Sequence, residues 1–262
     1  MFVRDMGDAW QIVLQPDHGE LCGQFATQWG GAAVETPHPH GSVQVAARRH
    51  DDGWAIWERE PALLPGTSRP TGFLEVVVPS HLAFYRACIA AVNEQDPYAG
   101  LLVSMHGTGI YNGRYGTQPG LGLKQAAEHP ELVGGFVAEQ EAWQQERIAE
   151  LGADEPERWV NYKLLQVFDR LGIYFSLKDV EAGTAESLAP VPLGYGGDES
   201  AIEIEPIAPW HVRMSPFPFV EAPARFSFWR RVVPKREWAS NDEFRRDFFA
   251  TAPERVQITV DR

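Results

Sequence analysis

Four side chains stand out because they are polar where helical spacing calls for apolar residues. His18 lies three positions before Leu21, on the stripe that continues through Phe25 and Trp29. His50 shares a face with Val43, Ala46 and Ala47, and Asp51 follows it directly. Asp169 ends a face begun by Trp159, Tyr162 and Leu165. His106 sits one turn after Leu102, just ahead of the glycine-rich stretch 107–120. Burying an imidazole or a carboxylate costs free energy unless it is paired or liganded. Any one of these residues alone reads as an ordinary hydrogen-bonded core residue. Together, on four separate helices, they point to a shared polar pocket. Imidazole nitrogens and carboxylate oxygens form a donor set suited to Mn, Fe, Ni, Zn or Mg rather than to a soft metal. A divalent cation held there lowers the pKa of a bound water and neutralises charge developing on a substrate.

Neighbouring residues supply further candidates. His106 reads equally as a ligand or as a general acid–base, and Asp52 as a carboxylate that orients a ligand histidine. These two are the catalytic candidates. Trp54 and Tyr111 are suited to wall a pocket for a ring-bearing substrate, and Arg114, with Lys178, to hold an anion. His81 opens a helix and is expected to be solvated, as are His38, His40, His129 and His211 in loops or strands. Ser104 and His106 do not form a nucleophile–base pair, because residues two apart do not share a helix face and no GxSxG elbow is present.

The elements that must position these groups are mainly helical. Apolar spacing predicts helices over 17–29, 42–51, 80–93, from Pro97 onward, 134–150 and 156–176, with a short one at 241–250. Gly30 and Gly31 stop the first, and Gly53 stops the second. Residues 1–15 suggest a short strand or extended lead-in, 53–79 a long ordered connection rich in Trp, Pro and Gly, and the glycine-rich 107–120 a loop. Beyond about 190 the pattern changes to alternation at 201–207, 210–214, 224–232 and 256–260, which predicts strands. The expected fold is mainly α: a helical bundle over 1–189 carrying the site, with a small antiparallel β extension over 190–262, α+β in sum.

Composition bounds the function. A hydrophobic content of 44% over 262 residues supports a substantial core. A net charge of -13 disfavours a nucleic-acid partner but leaves room for a small phosphorylated substrate beside a bound cation. No stretch suggests a membrane span or a signal peptide. Two cysteines without metal-finger spacing fit a reducing, cytoplasmic location. The sequence leaves oligomeric state open.

Two resemblances follow from these residues. A histidine early on one helix, an adjacent His–Asp at the end of the next and an aspartate on a late helix resemble the HD-domain superfamily of metal-dependent phosphohydrolases. The match in order is His18, His50–Asp51 and Asp169. The resemblance implies an HD-like helical bundle, those four residues as metal ligands, and phosphoester hydrolysis by a metal-activated water. His106 resembles the additional mid-chain histidine of two-metal members. The full length is also similar to an uncharacterised bacterial domain-of-unknown-function family, through QPDHGELCGQFATQWG, RRHDDGW, DPYAGLLVSMHGTGIY and LLQVFDRLGIYFSL. The long Trp-rich connection, the glycine-rich stretch and the terminal strands depart from a minimal HD domain. The alternative expectation is therefore a non-catalytic small-ligand-binding or sensor protein of that fold.

Overall fold

The computed structural model describes residues 1–117, 124–178 and 183–262. Part of the glycine-rich stretch, residues 118–120, lies outside them. Two short strands, β1 (Phe2–Asp5) and β2 (Ala9–Val13), open the chain. The helical part follows as α1 (Gln15–Gln28), α2 (His40–Arg49), α3 (Ala55–Glu58), α4 (Val78–Gln95), α5 (Pro97–Gly109), α6 (Pro130–Leu151) and α7 (Glu155–Leu177). Strands β3 (Glu186–Pro192), β4 (Glu199–Ala208), β5 (His211–Ser215) and β6 (Ala224–Pro234) come next, then α8 (Asn241–Ala250) and β7 (Glu254–Asp261).

All seven strands form one sheet, ordered β1-β2-β6-β7-β5-β4-β3. The β5–β7 pair is parallel, and every other pair is antiparallel. The expectation of a mainly helical protein with a small β subdomain is therefore corrected: the fold is α+β, with a curled mixed sheet as a full partner of the helices. The physical reason lies at the start of the chain. β1 and β2 are too short to be stable alone. They acquire a lattice only by pairing with β6, which is more than 200 positions away: Gln11 lies opposite Val232 and Ile12 opposite Arg231. Such long-range pairing leaves no local signature.

Alternation places Phe226 and Phe228 of β6, Ile258 and Val260 of β7, and Ile202 and Ile204 of β4 in the core. Leu21, Phe25 and Trp29 meet them from the side of α1, and Phe168 and Phe175 from α7. A smaller apolar cluster joins Ile12 and Val233 to Trp238, Phe244 and Phe248 around α8. The long connection is ordered, as expected. Leu64 N–H bonds the Arg69 carbonyl, and Asn241 Oδ1 and Arg245 Nε of α8 hold Leu63 N–H and the Pro61 carbonyl. The helix α5 continues through Gly107 and Gly109, where a loop is expected. A Cβ at Gly107 would stand 2.9 Å from the Tyr85 ring, so these glycines serve close helix packing.

Candidate metal centre

The two helices that carry most of the site touch through a glycine. At Gly172 in α7, an added Cβ would lie 2.6 Å from Cys22 Sγ and 2.7 Å from His18 Nδ1. Close approach of α1 and α7 there brings His18 Nε2 to 3.2 Å from Asp169 Oδ1, both groups buried. The start of α1 is fixed by Glu58, whose two carboxylate oxygens accept the Gln15 backbone N–H at 3.1 and 3.0 Å. Glu58 also pairs with the amino group of Met1.

His50 caps the end of α2, and its Nδ1 lies 2.9 Å from the Ala47 carbonyl. A carbonyl only accepts, so Nδ1 carries a proton and Nε2 is left facing inward. Nε2 lies 3.4 Å from Asp51 Oδ2 and 3.7 Å from Asp169 Oδ1, yet has no hydrogen-bond partner among the described residues. The turn Asp52–Trp54 that carries the chain away packs Gly53 tightly against the Phe84 backbone. Tyr85 donates to Asp51 Oδ1 at 2.9 Å. The His18 and His106 rings flank that of His50, with centroids 5.4 and 4.8 Å away.

The electrostatics favour a cation. Burial pushes Asp51 up, but the neighbouring His50 charge outweighs it and holds its pKa well below the usual carboxylate range. For Asp169, burial is likewise overcome by His18 and His50. Burial opposes charge on His50, but the two carboxylates reverse this and raise its pKa well above the usual value. His106 goes the other way: burial, then the Arg114 charge, lower it to about 3. Arg114 Nη1 and Gln166 Nε2 both approach His106 Nδ1 at 3.3 Å. With Nδ1 accepting, the neutral ring presents Nε2–H as a donor.

The expected ligands His18, His50, Asp51 and Asp169 thus converge, with His106 beside them. Trp54 and Arg114 line the same cavity of about 240 Å³, together with Phe2, Phe73, His81 and Tyr85. Tyr111 stands one step behind, its hydroxyl 2.5 Å from His81 Nδ1. Arg114 Nη2 lies 3.3 Å from Asp169 Oδ2. It is held there although its φ of 56° is unfavourable for a side-chain-bearing residue, as is the 54° of Tyr115. Asp52 is not brought in: it is half-buried and pairs with Arg49 Nε at 2.6 Å, and the Ala47 carbonyl orients His50 in its place. Lys178 pairs with Glu186 at 2.7 Å and lines a different cleft.

Four contributors escape the sequence reading. Cys22, one turn after His18, has Sγ 3.5 Å from His18 Nε2, and can complete a donor group with His18 and His50 that overlaps the group His50, Asp51 and His106. Burial, then the charges of Asp169 and Asp51, push its thiol pKa up. Tyr85 and Gln166 are the second and third, and the i, i+4 spacing to His81 and the i, i+3 spacing to Asp169 could have signalled them. His81 is the fourth: it is buried rather than solvated, because Trp54, Tyr85 and Tyr111 surround it.

The residues present could hold a metal ion. Two buried carboxylates face a histidine nitrogen with no partner of its own, and the His18 ring, whose Nδ1 is also unpartnered among the described residues, adds a second imidazole. Fold and site together define an α+β protein built round a buried His–Asp centre. The chain belongs to the DUF3891 family, described as a protein of unknown function, whose match spans residues 1–235. No curated protein and no solved structure matches it.

Proposed function

We propose that this chain is a metal-dependent hydrolase acting on a small phosphoester. The observation that carries the reading is His50 Nε2, buried between Asp51 and Asp169 without a hydrogen-bond partner: the two carboxylates favour positive charge there, and the Ala47 carbonyl holds the Nδ1 proton, so a cation would displace only the proton on Nε2. His18, His50, Asp51 and Asp169 would hold the metal, and their order along the chain resembles that of HD-domain phosphohydrolases. When bound, a divalent cation supplies Lewis acidity and an activated water. The chain's own groups do the rest. Arg114 offers a guanidinium for a phosphate oxygen. His106 offers Nε2–H as a hydrogen-bond donor, and the apolar wall excludes bulk water. The net charge of -13 fits a small substrate better than a nucleic acid. Among the described residues no helix is long and apolar enough to cross a membrane.

One observation favours a second reading, a ligand-binding protein without turnover: Arg114 already engages Asp169, as a structural counter-ion would. Metal analysis of untagged protein, combined with hydrolysis of bis(4-nitrophenyl) phosphate under added Mn, Zn or Mg, separates the two. The hydrolase reading expects about one or two metal ions per chain and turnover lost in Asp51→Ala. Bound metal with no turnover of any phosphoester supports the binding protein. Absence of metal binding ends the hydrolase reading.

A further inference from the structure

Two residues that line the cavity beside the His–Asp centre each carry a polar atom that the proposed hydrolysis does not use. Gln15 is 1% exposed and Trp54 is 2% exposed, and both line the cavity. Gln15 Oε1 accepts from nothing, and Trp54 Nε1 donates to nothing, among the described residues. A buried polar atom without a partner costs free energy that a ligand able to pair it recovers. The two atoms have opposite hydrogen-bonding sense, and their residues share one cavity, where Phe2, Phe73 and Ile173 stand beside Asp51, His106, Arg114 and Asp169.

Both side chains are held in place. Gln15 sits at the start of α1, where Glu58 clamps its backbone. The Trp54 ring packs against His81 at 5.1 Å and Phe84 at 5.2 Å. Fixed groups of this kind discriminate, because a ligand that cannot satisfy them leaves them desolvated and unpaired. Size narrows the ligand further. An apolar cavity of about 150 Å³ takes benzene, so one of about 240 Å³ takes a single substituted ring and excludes a dinucleotide.

We propose that Gln15 and Trp54 form a recognition subsite for a compact ring-bearing ligand carrying one group that both donates and accepts a hydrogen bond, a primary carboxamide or a hydroxyl. Trp54 Nε1–H donates to its oxygen, and Gln15 Oε1 accepts its proton. The inference rests on the hydrolase reading only for the ligand's phosphate; the subsite itself needs neither metal nor anion.

Neutral probes therefore test it. Binding of benzamide and of toluene, a similar ring without the polar group, is measured on the full chain by ligand-observed NMR. Wild type is expected to prefer benzamide by at least about tenfold. Trp54→Phe keeps a ring without the N–H, and Gln15→Met keeps chain length without the amide. Each should cut that preference about tenfold while toluene still binds, which reports an intact cavity. Equal affinity for the two probes in wild type, no binding of either, or a preference that survives both substitutions overturns the subsite. Absent phosphoester turnover with the benzamide preference intact counts against the hydrolase and not against the subsite.

Discussion

At the scale of single residues, the centre is a set of opposed pKa shifts held in one place. Asp51 and Asp169 stay ionised in a buried site because His50 sits between them. Removing His50 leaves two carboxylates facing each other without that partner. His50→Ala should lose bound metal and, in metal-free protein, lower unfolding free energy by about 3–5 kcal/mol; metal content and urea denaturation check the two effects. His81, in the same cavity as Asp51 but not among the proposed ligands, gives a pH signature. Burial lowers its pKa from the usual 6.5 to about 4. Between those values the unfolded chain takes up a proton that the folded chain refuses. The stability present above pH 6.5 is therefore lost as pH falls towards 4, by up to about 3 kcal/mol. Denaturation curves at pH 7 and pH 4.5 should show that loss, and His81→Gln should flatten it. His18, His50, His106 and Asp169 were legible as inward from spacing alone, and His81 was not. Asp52 was misread because adjacency in sequence says nothing about direction: Arg49, three residues earlier, captures it. Cys22 was overlooked because a buried thiol usually only fills space.

At the scale of elements, helix spacing and glycine stops located α1, α2, α4, α6 and α7 to within a few residues. The continuation of α5 through Gly107 and Gly109 was not legible, since its cause is the rings of Tyr85 and Tyr162 from other helices. Glycines in one chain thus divide by what they face. Gly172 faces His18 and Cys22, and Gly134 in α6 has nothing within 4 Å of an added Cβ. Gly172→Ala should separate α1 from α7, cost about 1–3 kcal/mol by overpacking and weaken metal binding. Gly134→Ala should stabilise by about 0.5–1 kcal/mol without touching the site. Chemical denaturation of both variants, with metal titration, tests the contrast; equal effects would contradict the close α1–α7 contact.

At the scale of the whole molecule, the sheet is where sequence and structure part. Four of its strands were readable from alternation, yet their membership with β1 and β2 in one layer was not, because it depends on pairs such as Trp10 with Val233. The family match stops at residue 235, while the sheet does not. β7 lies between β6 and β5, so a chain of residues 1–235 lacks the strand that joins them. That truncated chain should lose the single cooperative unfolding transition of the full chain, as circular dichroism melts would show. The position of β7 also sets an order of assembly. Translation completes the helices that carry His18, His50, His106 and Asp169 by residue 177, whereas the sheet's middle strand is made only at residues 254–261. Until then the nascent chain carries two open strand edges on β5 and β6, which are sticky templates for other chains. Protection by a chaperone, or a slow final stretch of synthesis, would matter most for these edges, and the chemistry-bearing half of the molecule would already be in place.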